Sequence, residues 1–239
     1  MHAVILAGGK GIRLRPYTTR LPKPLVPIGE DHSIMEIALS QLHSCGFSDV
    51  TLAIGHFGAL IRSYIGDGSR WGMHVDYSNP EETPLGTIGP VLRILDRLPE
   101  HFLIMNGDVL TDLDYADLMR QHLESGAPLT IATYQREVQI DYGVLTTLDG
   151  QVTNFTEKPA IGYRVSMGVY ACSKQALIKY TPGMPFGFDE LVLDMLAEGT
   201  VPHEYAFKGY WFDIGRPEDY DRANAEFGII RGTLLREKT

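Results

Sequence analysis

Apolar residues along the chain recur with two spacings. A continuous apolar run, His2 to Leu6, has the length of a short strand buried on both faces, and Gly8 and Gly9 close it. Beyond a loop broken by Pro16, Pro22, Pro24 and Pro27, Ser33 stands where a helix N-cap belongs. Ile34, Ile37, Ala38, Leu42 and Cys45 follow it at the 3.6-residue period, and Gly46 supplies the stop. The same reading predicts strands over Val50–Ile54, His74–Tyr77 and Phe102–Met105, with helices over Ala59–Ile65 and Pro90–Arg97 between them. Strand and helix alternating in this way build a mainly parallel sheet covered on both faces.

The second half is mixed. Ala116–Glu124 reads as a helix and Leu129–Tyr134 as a strand. Asp149-Gly150 between Val144–Leu148 and Val152–Phe155 is a hairpin turn. A strand at Val165–Ala171, helices at Gln175–Tyr180 and Phe188–Glu198, and a last helix opening at Pro217 complete the pattern. The expected architecture is one α/β domain: a mixed, mainly parallel central sheet between helical layers, with a small antiparallel insertion. The 239 residues suffice for one substantial core.

Composition adds exclusions. No tract approaches the ~18 apolar residues of a bilayer span, and the run Ala3–Ala7 is too short for a signal sequence, so a cytoplasmic protein without membrane contact is expected. Cys45 and Cys172 lie far apart, which argues against a disulfide, and no pair of the eight histidines has zinc spacing. The net charge of −9 disfavours a nucleic-acid surface. Yet Lys10, Arg13, Arg15, Arg20 and Lys23 all precede the first acid, Glu30. An acidic chain with its cations gathered in one glycine-rich stretch is suited to binding a small polyanion there.

That stretch, Leu6-Ala7-Gly8-Gly9-Lys10-Gly11-Ile12-Arg13-Leu14, directly follows the first strand, where ligands of open parallel sheets collect. Glycines let backbone N–H groups approach phosphate oxygens. The spacing fits neither a Walker loop nor a dinucleotide fingerprint. Extended through Leu21-Pro22-Lys23-Pro24-Leu25-Val26-Pro27, it resembles the signature of the sugar-1-phosphate nucleotidyltransferase family, including the mannose-1-phosphate and heptose-1-phosphate guanylyltransferases. One departure is Ile12, where threonine is usual.

The resemblance covers Met1 to Phe227, leaving 228–239 as a short tail, and implies a Rossmann-like three-layer nucleotidyltransferase fold with a single activity. It implies that Leu6, Ala7, Gly8, Gly9, Gly11, Arg13, Glu82, Gly86, Thr87 and Asp108 bind the nucleotide, and that Arg13, Lys23 and Asp108 are catalytic. Arg13 would hold the triphosphate; Lys23 would meet the α-phosphate or the sugar phosphate. Asp108, at the end of the strand ending Asn106-Gly107-Asp108, and Asp213, in Trp211-Phe212-Asp213-Ile214-Gly215, match the aspartates that hold Mg2+ in the family. Tyr142-Gly143-Val144 and Glu157-Lys158-Pro159 match the family's acceptor side, and Ser166-Met167-Gly168 departs from the Asn-Ala-Gly frequent at its place, so Gly143, Glu157, Lys158 and Gly168 would contact the sugar phosphate. The implied partners are an NTP and a sugar 1-phosphate, and a homo-oligomer is compatible with all of this. The segment Glu82 to Pro90 resembles that of the guanylyltransferases and favours GTP over UTP, dTTP and CTP.

Two rival readings remain at this level. Asp112-Leu113-Asp114 is a DxD of the kind with which glycosyltransferases bind a metal and a nucleotide sugar, although Asp114 also suits a helix cap. A non-catalytic sensor of nucleotide sugars is the other; the retained Arg13, Lys23, Asp108, Lys158 and Asp213 argue against it.

Overall fold

The computed structural model describes residues 1–78 and 85–236. Its strands are β1 (His2–Ala7), β2 (Pro27–Ile28), β3 (His32–Ser33), β4 (Asp49–Ile54), β5 (His74–Tyr77), β6 (His101–Asn106), β7 (Val109–Thr111), β8 (Leu129–Gln139), β9 (Val144–Leu148), β10 (Gln151–Thr156), β11 (Ala160–Ser173), β12 (His203–Phe207) and β13 (Trp211–Asp213). Its helices are α1 (Ile34–Ser44), α2 (Gly58–Ile65), α3 (Gly89–Leu92), α4 (Tyr115–Ser125), α5 (Phe188–Ala197) and α6 (Pro217–Leu234).

Seven strands form the central sheet in the order β12-β8-β11-β6-β1-β4-β5. Neighbours pair in parallel except around β11, which runs antiparallel to both β8 and β6. This is the expected mixed, mainly parallel α/β sheet. The chain goes from β1 outward through β4 and β5, then returns to the other side of β1 as β6. Such a reversal opens a crevice at the carboxyl ends of the strands involved.

One face of the sheet packs Ala3, Ile5, Leu103 and Met105 beneath α1, α2 and α4; the other packs Val4, Phe102, Ile104 and Tyr170 beneath α3 and α5. A third cluster joins Leu14, Val26, Ile28, Phe212 and Ile214 to Tyr220, Ala223 and Phe227 of α6. The segment expected to be a tail from residue 228 continues α6. Leu234 is fully buried and its carbonyl accepts from Gln41 Nε2 at 2.8 Å.

Local chemistry explains the boundaries. Ser33 Oγ accepts from the Glu36 N–H, and the Glu36 carboxylate accepts from the Ser33 N–H, a reciprocal cap that starts α1. The predicted helix over Pro90–Arg97 splits into α3 and a 3₁₀ turn at Leu95–Arg97, and Pro99, which holds Leu98 extended at ψ 149°, ends that turn. The predicted helix over Gln175–Tyr180 is reduced to a 3₁₀ turn, Lys174–Ala176; one turn already buries Ala176 and Leu177, and Pro182 follows. β8 and β11 run well past their predicted ends and pair as a long ribbon, from Ala160 opposite Gln139 to Cys172 opposite Leu129.

Candidate active site

β1 ends at the glycine loop, and the close packing there requires glycine. A Cβ on Gly55, at the end of β4, would lie 2.8 Å from the Gly8 carbonyl oxygen. The His56 N–H donates to that same oxygen at 3.3 Å. Gly11 adopts φ +60°, and its carbonyl accepts from Thr18 Oγ1 at 2.6 Å, so a hydroxyl seven residues onward secures the loop although Ile12 has none.

The turn after β6 is fastened to the same place. The Gly107 N–H donates to the Leu6 carbonyl at 3.0 Å, and a Cβ on Gly107 would approach that oxygen to 2.9 Å. Asp108 is thereby fixed beside the glycine loop. Asp108 Oδ2 accepts from Lys23 Nζ, and both side chains are largely withdrawn from solvent. Lys23 reaches it from a 3₁₀ turn, Lys23–Leu25, whose Pro24 and Leu25 are buried.

Asp213 comes from the opposite end of the sequence. β13 pairs antiparallel with β7, placing Asp213 opposite Val109, and the Ile214 N–H donates to the Asp108 carbonyl at 3.1 Å. Desolvation by the surrounding protein raises the Asp213 carboxyl above its ordinary value, and the negative charge of Asp108 adds to the rise; Lys23 and Arg13 oppose it. The residue is itself exposed, and it lines neither of the two cavities described below.

Among the described residues no cluster of three or more metal-ligating side chains occurs. Two mutually repelling carboxylates nevertheless suit magnesium, which is commonly held by one or two carboxylates with waters and substrate phosphates. Asp108 Oδ1 strengthens the fit: it is buried, with no hydrogen-bond partner among the described residues.

Two cavities meet here. One, about 280 Å³, is lined by Gly9, Lys10, Gly11, Arg13, Lys23, Asp108 and Gly215. The other, about 740 Å³, extends across Leu6, Gly8, Gly55, His56, Ser78, Gly86, Thr87 and Asn106 and shares Gly9, Lys10 and Asp108 with the first. Eight of the ten nucleotide-side residues predicted from sequence line one or both. Ala7 does not, being buried against β4, and Glu82 lies outside the described residues. Gly55, His56, Ser78 and Asn106 escaped the sequence reading. Each sits at or just beyond the carboxyl end of β4, β5 or β6, which the crevice rule for parallel sheets singles out.

On the acceptor side only Gly168 approaches this centre. It adopts φ +73°, and a Cβ there would lie 2.5 Å from Asn106 Nδ2. Gly143, Glu157 and Lys158 stand together farther out, exposed at the base of the β9–β10 hairpin and lining neither cavity. The DxD carboxylates are committed to the backbone. Asp112 accepts from the Tyr210 N–H at 2.7 Å, and Asp114 accepts from Ala116 and Asp117 as the cap of α4.

A glycine loop, two carboxylates and a lysine thus gather at the crevice of a mainly parallel α/β sheet. The chain matches the nucleotidyl transferase family over residues 2–228 and belongs to it. It is 32% identical to a UTP–glucose-1-phosphate uridylyltransferase of Synechocystis, over 99% of this chain and 64% of that one. It is equally 32% identical to a mannose-1-phosphate guanylyltransferase catalytic subunit beta of Dictyostelium discoideum, over 92% of this chain and 62% of the relative. The chain thus spans under two thirds of the length of these relatives. Among solved structures, HddC of Yersinia pseudotuberculosis superposes with a TM-score of 0.73 at 29% identity, covering 95% of this chain and 99% of that one, and has also been solved with GMP-PN. A glucose-1-phosphate thymidylyltransferase structure from Bacillus anthracis shares the fold, with a TM-score of 0.75 at 20% identity over 100% of this chain and 97% of the other. Among the described residues, no helix is long and apolar enough to cross a membrane.

Proposed function

We propose that the protein is a sugar-1-phosphate nucleotidyltransferase that uses magnesium and favours GTP. The observation that carries this reading is the contact of Lys23 with Asp108 at the mouth of the glycine loop, with Asp213 brought alongside from 105 positions away. A phosphate oxygen of the sugar phosphate attacks the α-phosphorus of the NTP, the bond to the β-phosphate oxygen breaks, and pyrophosphate leaves. Both reactants are anions, so the protein has mainly to align them and neutralise charge. Backbone N–H groups of Gly8, Gly9 and Gly11 would receive the phosphates, with Arg13 against the triphosphate. Lys23 would face the reacting phosphates. Asp108 and Asp213 would hold Mg2+, which supplies charge neutralisation to the phosphate oxygens when bound.

The wider cavity, ending at Ser78, Gly86 and Thr87, would take the nucleoside. Similarity to relatives named for GTP and for UTP supports the general reaction; the lean to guanine rests on the Glu82–Pro90 segment. Gly143, Glu157, Lys158 and Gly168 would receive the sugar phosphate. Pyrophosphate release measured with each of four NTPs against a panel of sugar 1-phosphates tests the proposal. It should require Mg2+, one NTP and one sugar phosphate together, fastest with GTP. Release without a sugar phosphate, or no release from any pair, would refute it.

A further inference from the structure

Three hydroxyl or amide side chains stand in the wall of the wider cavity: Ser78, Thr87 and Asn106. The backbone engages two of them. Ser78 Oγ accepts from the Ile54 N–H at 3.2 Å, and Thr87 Oγ1 accepts from the Phe188 N–H at 2.7 Å. The Asn106 side chain, half-buried at the end of β6, has no hydrogen-bond partner among the described residues. An amide carries two donors and an acceptor oxygen, and proteins seldom withdraw such groups from water without something for them to bind.

Its place is fixed from the opposite strand. β11 pairs with β6 only as far as Val169 opposite Met105, and its register against β8 shifts between Ser166 and Tyr170. Gly168 sits in that bulge, just beyond the last β6 pair, at φ +73°. A Cβ there would lie 2.5 Å from Asn106 Nδ2 and 3.0 Å from its Cγ, so the amide packs against a backbone that has to be glycine. The Ser166 hydroxyl is committed within the bulge: it donates to Tyr170 Oη at 3.0 Å and accepts from the Gly168 N–H at 3.3 Å. Asn106 therefore lines the nucleotide cavity, touches the acceptor-side Gly168, and is separated from Asp108 by Gly107 alone.

We propose that the Asn106 amide hydrogen-bonds a hydroxyl of the sugar 1-phosphate, helping to select the sugar and to hold its phosphate for attack; this rests on the function proposed above. The chemistry agrees. Lys10, Arg13 and Lys23 line the cavities as cations for the phosphates, whereas a neutral group that both donates and accepts matches a hydroxyl, which does the same. Ribose also carries hydroxyls. Gly168 decides for the sugar, because it is the acceptor-side residue against which the amide packs.

The test uses the sugar 1-phosphate that the pyrophosphate screen selects, together with each of its monodeoxy analogues. With one analogue the wild-type kcat/KM should fall about 10-fold or more, because the amide is left unpaired. Asn106→Ala should lose a similar factor with the parent sugar, and should then discriminate against that same analogue by no more than about twofold. Its affinity for NTP, measured by calorimetry with no sugar phosphate present, should match that of the wild type. Asn106→Leu keeps the volume without the polar atoms and gives the same comparison should the alanine variant misfold. Equal discrimination by wild type and variant would overturn the contact, and so would a weakened NTP affinity, which would assign the amide to the ribose. Wild-type turnover separates the two proposals: if no pair is turned over, the function falls and the contact with it, and if one is, only Asn106 is at stake.

Discussion

Lys23 Nζ is bonded to Asp108 Oδ2 across 85 positions of chain, and neither group is freely solvated. Each therefore helps to fix the other where a phosphate would arrive. Lys23→Met should lower turnover about 10²- to 10³-fold, the usual cost of removing one preorganised charged donor. Asp108→Asn should cost at least as much. Because the two share one interaction, the double variant should fall well short of the product of the single losses. Initial rates of pyrophosphate release decide it: strictly multiplicative losses would mean that the contact plays no part in turnover.

Gly86 combines φ +74° with a Cβ position only 2.6 Å from the Phe186 carbonyl oxygen. Thr87 Oγ1 accepts from the Phe188 N–H at 2.7 Å, so this turn also sets the start of α5. Gly86→Ala should destabilise the fold by about 1–3 kcal/mol and raise the KM for NTP. Gly126→Ala is the control: it has φ +65° but open space at the Cβ, and should cost about 1 kcal/mol. Equal melting temperatures for the two variants would remove the packing argument.

How far the sequence showed this site depends on range. The glycine loop was legible because its residues are consecutive and follow an apolar run. Ser33 and Asp114 were legible because a cap acts within three residues. Periodicity could not pair Asp108 with Asp213; only family resemblance suggested it, and β13 and β7, three residues each, are too short for a pattern to reveal. The far half of β8 was missed because Gln135, Arg136 and Glu137 interrupt any alternation, whereas in the ribbon both faces are wet and nothing requires one. His56 and Ser78 went unnoticed because their place at strand ends emerges only from strand order.

The carboxylates of Asp112 and Asp114 decide between the nucleotidyltransferase reading and the DxD glycosyltransferase. Asp114 accepts the Ala116 and Asp117 N–H groups at 3.0 and 3.2 Å. Asp114→Ala should lose about 1 kcal/mol of stability, as N-cap removals do, and keep its turnover. Chemical denaturation and initial rates on the same preparation separate the two effects. Turnover abolished at unchanged stability would restore the glycosyltransferase.

His122 gives the fold a pH dependence away from the cleft. It is 1% exposed, with Nδ1 at 2.9 Å from Thr130 Oγ1 and Nε2 at 3.1 Å from His101 Nδ1. Burial, and secondarily the positive charge that His101 and His203 can carry, push its pKa down to about 4. In the unfolded chain the ring titrates near 6.5. Between those values the unfolded state binds more protons, so stability is fully present above about pH 6.5 and declines as pH falls toward 4. From pH 7.5 to pH 5 this group should account for at most about 2 kcal/mol of lost stability. His122→Gln retains a polar side chain without a titrating ring, and its denaturation midpoint should fall less than that of the wild type over the same interval. Parallel pH profiles for the two proteins would show that His122 is not the group responsible.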